Sequence, residues 1–324
     1  MYAYVNIIDC NEKPQSLQPL RINQGNVSFF INALSSNCAF EQQSNNPDSY
    51  VLTFFSGTEF ELTLQVEFFL QPLTPEQSKV IKAKAAWFNN YNKTDNNDQY
   101  AQPMSQFLRG SDALQLDSLT ATTQNRYLVN DRSGLAYFSG DSDQFRRIVL
   151  CQALAVAYSQ VMSECVENLT ETLRSNDCDA LLSLYEQILF FNASDYFAHP
   201  VKLERHELFT AWNLIRDHWH LNELNEELTN QLSSVAKFLQ ANRDREQDLR
   251  RQQETLRKQE AKQEAEARQT KRDRKANFAI GFATLLLTFL SIVSLVELTP
   301  DHFSSAYQNW IAPVIESTSN HNEH

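Results

Sequence analysis

The sequence predicts an α+β cytoplasmic domain, with an antiparallel sheet followed by helices, then a long helical or coiled-coil stalk and a single C-terminal transmembrane helix. Three observations predict this order. Segments in which apolar and polar residues alternate lie within residues 1–140. Residues 201–280 contain neither glycine nor proline, which favours a long helix. Residues 278–296 contain no charged side chain.

Residues 1–140 form the β-rich part of the predicted cytoplasmic domain. The stretch EFELTLQVEFF (59–69) has apolar side chains at alternate positions, which is typical of a half-buried strand. YVLTFF (50–55) precedes it across a glycine-containing turn, so the two should pair as a hairpin. We expect an antiparallel sheet with one face in solvent. Further strands are expected in MYAYVNII (1–8), NVSFFINAL (26–34), RYLVN (126–130) and GLAYFSG (134–140).

Residues 141–204 form the helical part of the predicted domain. Asp141 and Gln144 have the spacing of a capping box at the start of a helix. The run FRRIVLCQALAVAY (145–158) is apolar on nearly every side, which predicts a central, buried helix. A second helix is expected over about 178–191.

Residues 205–275 form the predicted stalk. Its first part has apolar residues at helical spacing. Its charged lower part has acidic and basic residues four positions apart, and each such pair stabilises a helix by only ~0.2–0.5 kcal/mol. Two interpretations remain open, a loose coiled coil that holds copies together and a solvated rigid rod that spaces the domain from the bilayer. A coiled coil is favoured near 221–256 and a rod below it. The apolar positions are Leu208, Trp212, Ile215, Trp219, Leu221, Leu224, Leu228, Leu232, Val235, Leu239, Leu249 and Leu256, and the pairs are Glu246–Arg250, Glu254–Lys258 and Glu264–Arg268.

Residues 278–296 form the predicted transmembrane helix. At ~1.5 Å per residue this segment is about as long as the hydrocarbon layer is thick. The alternative, a buried core helix, does not account for the basic cluster that precedes it. Because positive residues mark the cytoplasmic side, we expect a cytoplasmic N-terminus and an extracytoplasmic C-terminus. The membrane-proximal basic residues are Arg268, Lys271, Arg272, Arg274 and Lys275.

Residues 299–324 form a short tail after the predicted span. Phe303, Tyr307 and Trp310 fall on one helical face, which predicts an interfacial helix with aromatic side chains at the membrane surface. A disordered tail is the alternative.

A stripe of small and polar residues runs along the predicted span at spacings of four and three. Such a stripe permits close helix–helix contact, so self-association is one interpretation. A hydrophilic pore lining in an oligomer is a sharper one, and chance is the third. We call these residues the small-residue stripe: Asn277, Gly281, Thr284, Thr288 and Ser291.

Charge and cysteine content limit the functions that the chain could have. The formal net charge of −12 argues against nucleic-acid binding. The acidic excess lies before residue 243, whereas residues 243–275 carry more basic than acidic side chains. The five cysteines contain no C-x-x-C pair, which favours free thiols in a reducing compartment.

We find no catalytic motif. Nucleotide-binding glycine loops, the G-x-S-x-G elbow and the H-E-x-x-H zinc motif are all absent from the sequence. We therefore expect no enzyme activity, no cofactor and no metal. Four arginines in the acidic domain have two possible roles. They could contact an anionic ligand or the carboxylates of a partner, or they could form ordinary surface salt bridges. They are Arg126, Arg132, Arg146 and Arg147.

The layout of residues 200–298 resembles that of CorA-type divalent-cation transporters, in which a long stalk helix continues into the first span. The Gly-Met-Asn signature of that family has no counterpart, because Glu297-Leu298-Thr299-Pro300 follows the span. The layout also resembles bacterial membrane effectors in antiphage signalling, which join a ligand-sensing domain to a membrane-disrupting segment. Both resemblances concern architecture only.

The function predicted from these patterns is a single-pass, homo-oligomeric membrane protein. Its cytoplasmic domain would sense an unidentified cytosolic ligand or protein and act on the bilayer, as a pore-forming or membrane-disrupting effector does. Two alternatives are a membrane-tethered scaffold that recruits a cytosolic partner, and a divergent CorA-like ion transporter.

Overall fold

The structure, a computed structural model, divides into two compact units, Met1–Ala241 and Asn242–His324. The first unit extends beyond residue 205, where the sequence places the start of the stalk. The residues described are 1–9, 12–14, 16–74, 81–89, 98–114, 119–175 and 177–296.

The first unit contains a nine-stranded sheet and a separate two-stranded hairpin. The order of the strands in the large sheet is β2-β5-β6-β7-β1-β8-β11-β10-β9, and β3 pairs with β4. The strands are β1 (Tyr2–Ile7), β2 (Leu17–Pro19), β3 (Arg21–Ile22), β4 (Gly25–Asn26), β5 (Ala39–Gln43), β6 (Asn46–Phe54), β7 (Leu62–Phe69), β8 (Ala83–Phe88), β9 (Thr120–Thr123), β10 (Arg126–Asp131) and β11 (Gly134–Phe138).

Helices accompany and follow these strands. The short α1 and the three-turn α2 lie between strands, and four helices follow the last described strand. Their bounds are α1 (Asn32–Ser35), α2 (Asp98–Arg109), α3 (Ser142–Ser175), α4 (Cys178–Ser194), α5 (His206–His218) and α6 (Leu221–Val296).

The large sheet is mixed, so the antiparallel sheet expected from the sequence is wrong in one place. Strands β8 and β11 pair in parallel, whereas the other pairings of this sheet among the described strands are antiparallel. The connection from β8 to β11 includes α2, β9 and β10, which supplies the long crossover that parallel pairing requires.

The sheet is covered on both faces near β8, β10 and β11, which corrects the expectation of one wet face. Leu135 and Tyr137 of β11 belong to the main core with α3, whereas Ala136 and Phe138 pack with α2 in a second core. All five residues of β11 are buried. The sequence-based prediction included no helix over 98–109 and therefore missed the second core that α2 forms with the sheet. In β7 the alternation does hold, since Leu64, Val66 and Phe68 face the main core.

Most of the predicted strands are confirmed. The β6–β7 hairpin forms with the expected antiparallel register, and β1, β10 and β11 coincide with predicted segments. The strand expected over 26–34 is wrong, because this stretch contains the end of β4, a single bridge from Phe30 to Val201, and α1.

Helix α3 is the central element of the first unit, as the sequence predicts. The carboxylate of Asp141 accepts hydrogen bonds from the backbone N–H groups of Asp143 (3.0 Å) and Gln144 (3.1 Å), which caps the helix. Its buried side chains line the main core together with those of the sheet. The second predicted helix is α4, which Asp177 caps.

The helical region after Pro200 is interrupted once. His220 has a positive φ of 51° between α5 and α6, a position that glycine usually occupies after a helix. Helix α5 buries Leu208, Ala211, Trp212 and Ile215 in the main core.

The upper seam of the predicted coiled coil is buried inside the first unit. Leu221, Leu228, Leu232, Val235 and Leu239 of α6 all belong to the main core. These side chains therefore stabilise the chain's own fold and are not free for a partner helix. Leu249 and Leu256, seven residues apart, remain 52% and 57% exposed.

We predict that Gly134→Ala destabilises the first unit by about 1–3 kcal/mol, as overpacking of a core does. A Cβ at this position would lie 2.6 Å from Leu108 Cδ2 of α2 and 3.2 Å from the carbonyl oxygen of Asp131. Gly140→Ala is the control, because no atom lies within 4 Å of its added Cβ. Urea unfolding followed by circular dichroism measures both, and equal midpoints for the two variants would contradict the close packing of α2 on β11.

Candidate functional site

Two helices of the described chain are long and apolar enough to cross a membrane, namely α3 and α6. They differ in how their apolar surface is covered. The most apolar 18-residue stretch of α3 is 78% buried within the fold. The corresponding stretch of α6 is not buried among the described residues. Helix α3 is therefore a core helix, and α6 is the candidate for membrane association.

The apolar surface of α6 lies in the second unit, and none of it is buried among the described residues. Soluble proteins seldom expose a contiguous apolar patch of more than a few hundred Å². A surface of this kind is typical of contact with lipid or with another protein. Its exposed large side chains are Phe278, Ile280, Phe282, Leu285, Leu286, Leu287, Phe289, Leu290 and Ile292.

The hydroxyl groups of the small-residue stripe bond to their own helix. Thr284 Oγ1 donates to the carbonyl oxygen of Ile280 (2.8 Å), Thr288 Oγ1 to that of Thr284 (2.9 Å), and Ser291 Oγ to that of Leu287 (2.8 Å). Each hydroxyl proton is thus satisfied within the helix, while the oxygen keeps acceptor capacity. At Gly281, an added Cβ would have no described atom within 4 Å apart from its chain neighbours and the backbone of its own helix.

The membrane-proximal basic residues lie on the exposed surface of α6, immediately before the apolar stretch. Arg268 Nη2 is 3.4 Å from Glu264 Oε2, and Arg250 pairs with Glu246 at 3.8 Å, as the sequence predicts. The predicted pair of Glu254 and Lys258 does not form within the described part of the chain. Lys271, Arg272, Arg274 and Lys275 make no ion pair with any described residue.

The predicted interfacial helix lies outside the residues that the structure describes. Phe303, Tyr307 and Trp310 lie outside the described residues, as do the last charges of the tail. The described part of α6 ends at Val296.

The four arginines selected from the sequence lie in different surroundings. Arg146 pairs with Asp48, donates to Tyr50 Oη at 2.7 Å and stacks 4.5 Å from the centre of the Phe68 ring. These contacts fix the side chain against the sheet, so it serves the fold.

Arg132 occupies the turn between β10 and β11, with a positive φ of 52°. Its carbonyl oxygen contacts His218 Nε2 at 2.6 Å, which joins the turn to the end of α5.

Arg126 belongs to a partly buried network that joins β10 and β11 to α5. Its guanidinium pairs with Glu207, and with Asp141 at 3.7 Å. The other oxygen of Glu207 accepts a hydrogen bond from Tyr137 Oη. Burial raises the pKa of Tyr137, and the bond to Glu207 raises it further, so the phenol stays protonated and remains a donor. Ordinary ion pairing therefore accounts for Arg126.

Arg147 borders a cavity of about 360 Å³ that we call the arginine cavity. It lies among the β3–β4 hairpin, the first turns of α3 and the first turn of α5. The sequence analysis missed Arg205 and His206 as neighbours of Arg147, because only the packing of α5 brings them together. Its polar lining includes Asn23, Gln144, Arg147, Arg205, His206 and Glu207.

An open groove of about 780 Å³ lies between the end of α3 and the start of α6 in the first unit. Leu173 and Arg174 line it on one side, and Glu223, Glu226 and Glu227 line it on the other. We call it the acidic groove.

Among the described residues, no three His, Cys, Asp or Glu side chains gather into a metal-binding group. A scan against models of protein families, a search of curated proteins and a search of solved structures each found no match to this chain. The function is therefore argued from the residues themselves.

We predict that Arg126→Ala destabilises the first unit by about 1–3 kcal/mol, because it leaves the largely buried Glu207 without its cation. Arg250→Ala removes a comparable pair from an exposed helix surface and should cost less than about 0.5 kcal/mol. Urea unfolding compares them, and equal small effects would show that the Glu207 network contributes little to stability.

We also predict slow thiol chemistry at three cysteines. Burial raises the pKa of Cys38 and Cys165 to about 12 and raises that of Cys151, so their thiols stay protonated at neutral pH. Cys178 is exposed and should react with iodoacetamide before the other three described cysteines. Peptide mapping with and without urea measures this, and equal labelling of Cys151 and Cys178 in the native protein would contradict the packing of α3.

Proposed function

We propose that this chain is a single-pass, homo-oligomeric membrane protein whose first unit senses a ligand or partner and acts on the bilayer, as a pore-forming or membrane-disrupting effector does. The observation that carries the proposal is the apolar surface of α6 over residues 278–292, which no described residue buries. In lipid a helix satisfies its own backbone groups, so this segment needs only an apolar surface to be stable there.

The proposed orientation places the first unit in the cytoplasm and residues after the span outside it. The basic residues at 268–275 support this orientation, because cytoplasmic flanks of spans are rich in lysine and arginine. They would also gain energy from anionic headgroups, about 1 kcal/mol for each side chain near the surface.

The proposed assembly uses the small-residue stripe as its contact. Gly281, Thr284 and Thr288 present small side chains in a helix that otherwise carries leucine, isoleucine and phenylalanine. Two such surfaces permit close backbone approach, and the hydroxyl oxygens can accept hydrogen bonds across the contact. With several copies, the same hydroxyls would line a polar path, which is the basis for the proposed effect on the membrane.

The segment from 242 to 275 would then connect sensing to the membrane. Because the seam up to Leu239 is used within the first unit, a coiled coil in this segment would rest on Leu249 and Leu256 alone. A mainly solvated helical rod is therefore the favoured form. The proposal requires no enzyme activity, cofactor or nucleic acid.

We predict that Thr284→Leu with Thr288→Leu weakens the homo-oligomer, since leucine at both positions separates the backbones. Light scattering coupled to size exclusion, in mild detergent, gives the mass, and dye release from vesicles gives permeability. Leu286→Ile with Leu290→Ile is the control on the opposite face of α6. An unchanged mass together with unchanged dye release in the threonine variant would refute the proposed assembly.

A membrane-tethered scaffold is the second candidate, favoured by the acidic groove. Glu223, Glu226 and Glu227 line it beside the exposed Leu173, an arrangement that suits a basic and partly apolar peptide.

Replacing residues 278–296 by an unrelated transmembrane helix separates the two candidates. The effector proposal predicts that the chimera binds membranes yet loses dye release, because the stripe is gone. A tether would keep its full function on the foreign span, and that result would favour the scaffold.

A further inference from the structure

The arginine cavity combines three elements that are distant in the sequence. The β3–β4 hairpin turns at Asn23 and Gln24, both with positive φ (49° and 60°), as a tight two-residue turn requires. Gln144 and Arg147 come from α3, and Arg205 to Leu208 come from the start of α5. A cavity of about 360 Å³ is within the size range of small-ligand sites.

The basic side chains of this cavity lack carboxylate partners. Arg147 Nη1 contacts Gln144 Oε1 at 3.3 Å, and neither Arg147 nor Arg205 forms an ion pair with any residue the structure describes. Four other arginines of the first unit differ in this respect, since Arg109, Arg126, Arg146 and Arg216 each pair with an aspartate or glutamate. Two guanidinium groups at one cavity thus leave uncompensated positive charge.

The one carboxylate that lines the cavity does not offset this charge. Glu207 uses one oxygen for Arg126 and the other for Tyr137, both outside the lining of the cavity. Its negative charge is therefore already matched by Arg126.

Gln144 gives independent support for a ligand. Its side chain is only 8% exposed and lines the cavity. Its Oε1 accepts from Arg147, while its amide nitrogen has no acceptor among the described residues. This amide is therefore free to donate a hydrogen bond to an anion that occupies the cavity.

The start of α5 adds further donors. Arg205 occupies the N-cap position without a side-chain capping bond, so the first backbone N–H groups of α5 lack the partner that a cap provides. His206 lies beside them in the lining.

We propose that the arginine cavity binds a phosphate dianion, either inorganic phosphate or the phosphate of a small monoester. Arg147 and Arg205 supply the two positive charges, Gln144 donates from its amide, and the first turn of α5 donates from its backbone. Guanidinium groups match the oxygens of phosphate in pairs, which favours phosphate over a singly charged carboxylate. The biological meaning of this inference rests on the sensing role proposed above, for which it names the ligand class.

Isothermal titration calorimetry of the full-length protein in detergent tests the site, with inorganic phosphate and glycerol 3-phosphate as probes at constant ionic strength. We expect saturable binding, and a loss of about tenfold or more in affinity for Arg147→Ala and for Arg205→Ala. Arg174→Ala, on the same unit but at the acidic groove, should bind like the wild type. Tighter binding of glycerol 3-phosphate than of phosphate would identify the occupant as an ester, and the reverse order would identify it as free phosphate.

The inference is overturned if neither probe binds, or if Arg147→Ala with Arg205→Ala binds as tightly as the wild type. Far-UV circular dichroism verifies that each variant is folded. If Arg147→Ala does not fold, Arg205→Glu replaces it as the test, because Arg205 is exposed and its substitution should not disturb the core. Phosphate binding as tight as in the wild type would then overturn the inference. If the arginine variants lose phosphate binding but still release dye, the site is supported and only its link to sensing is wrong. Absent dye release with normal phosphate binding would fault the proposed function and leave this site in place.

Discussion

An apolar helix surface has to be covered, and this requirement organises the whole chain. Helix α3 meets it within the protein, because its side chains form the main core with the sheet, α4 and α5. The first part of α6 meets it in the same way through the leucines up to Leu239. Residues 278–292 have no cover in the described structure, although they are at least as apolar as α3. That difference, and not apolarity alone, makes α6 the membrane candidate.

The first unit uses its polar groups in two ways. Where a cation meets a carboxylate, as at Arg126 with Glu207 and Arg146 with Asp48, the pair joins elements far apart in the sequence and serves stability. Two arginines that have no carboxylate partner among the described residues, Arg147 and Arg205, line the same cavity. Donors that line a cavity and have no partner in the protein are available to a ligand there.

Sequence patterns predicted those elements that local periodicity determines. The alternation in β7 and the all-round apolarity of α3 depend on burial of their own faces, and both are confirmed. The parallel pairing of β8 with β11 depends on α2, whose apolar residues Tyr100, Met104, Phe107 and Leu108 have helical spacing and pack in the second core. The prediction missed this signal in a mostly polar segment that contains Pro103. The break at His220 was hidden because a non-glycine residue adopts positive φ there. The arginine cavity required packing of α5 against α3, and no spacing in the sequence encodes that contact.

The most direct test of the membrane assignment is alkaline carbonate extraction of membranes that contain the full-length protein. The account predicts that the wild type stays in the membrane pellet, while Leu286→Arg with Leu290→Arg moves to the supernatant, since each arginine at a span centre costs about 2.5–3.5 kcal/mol. Arg250→Ala should stay in the pellet like the wild type. Release of the wild type into the supernatant would contradict the account, and the uncovered surface of α6 would then belong to a protein contact.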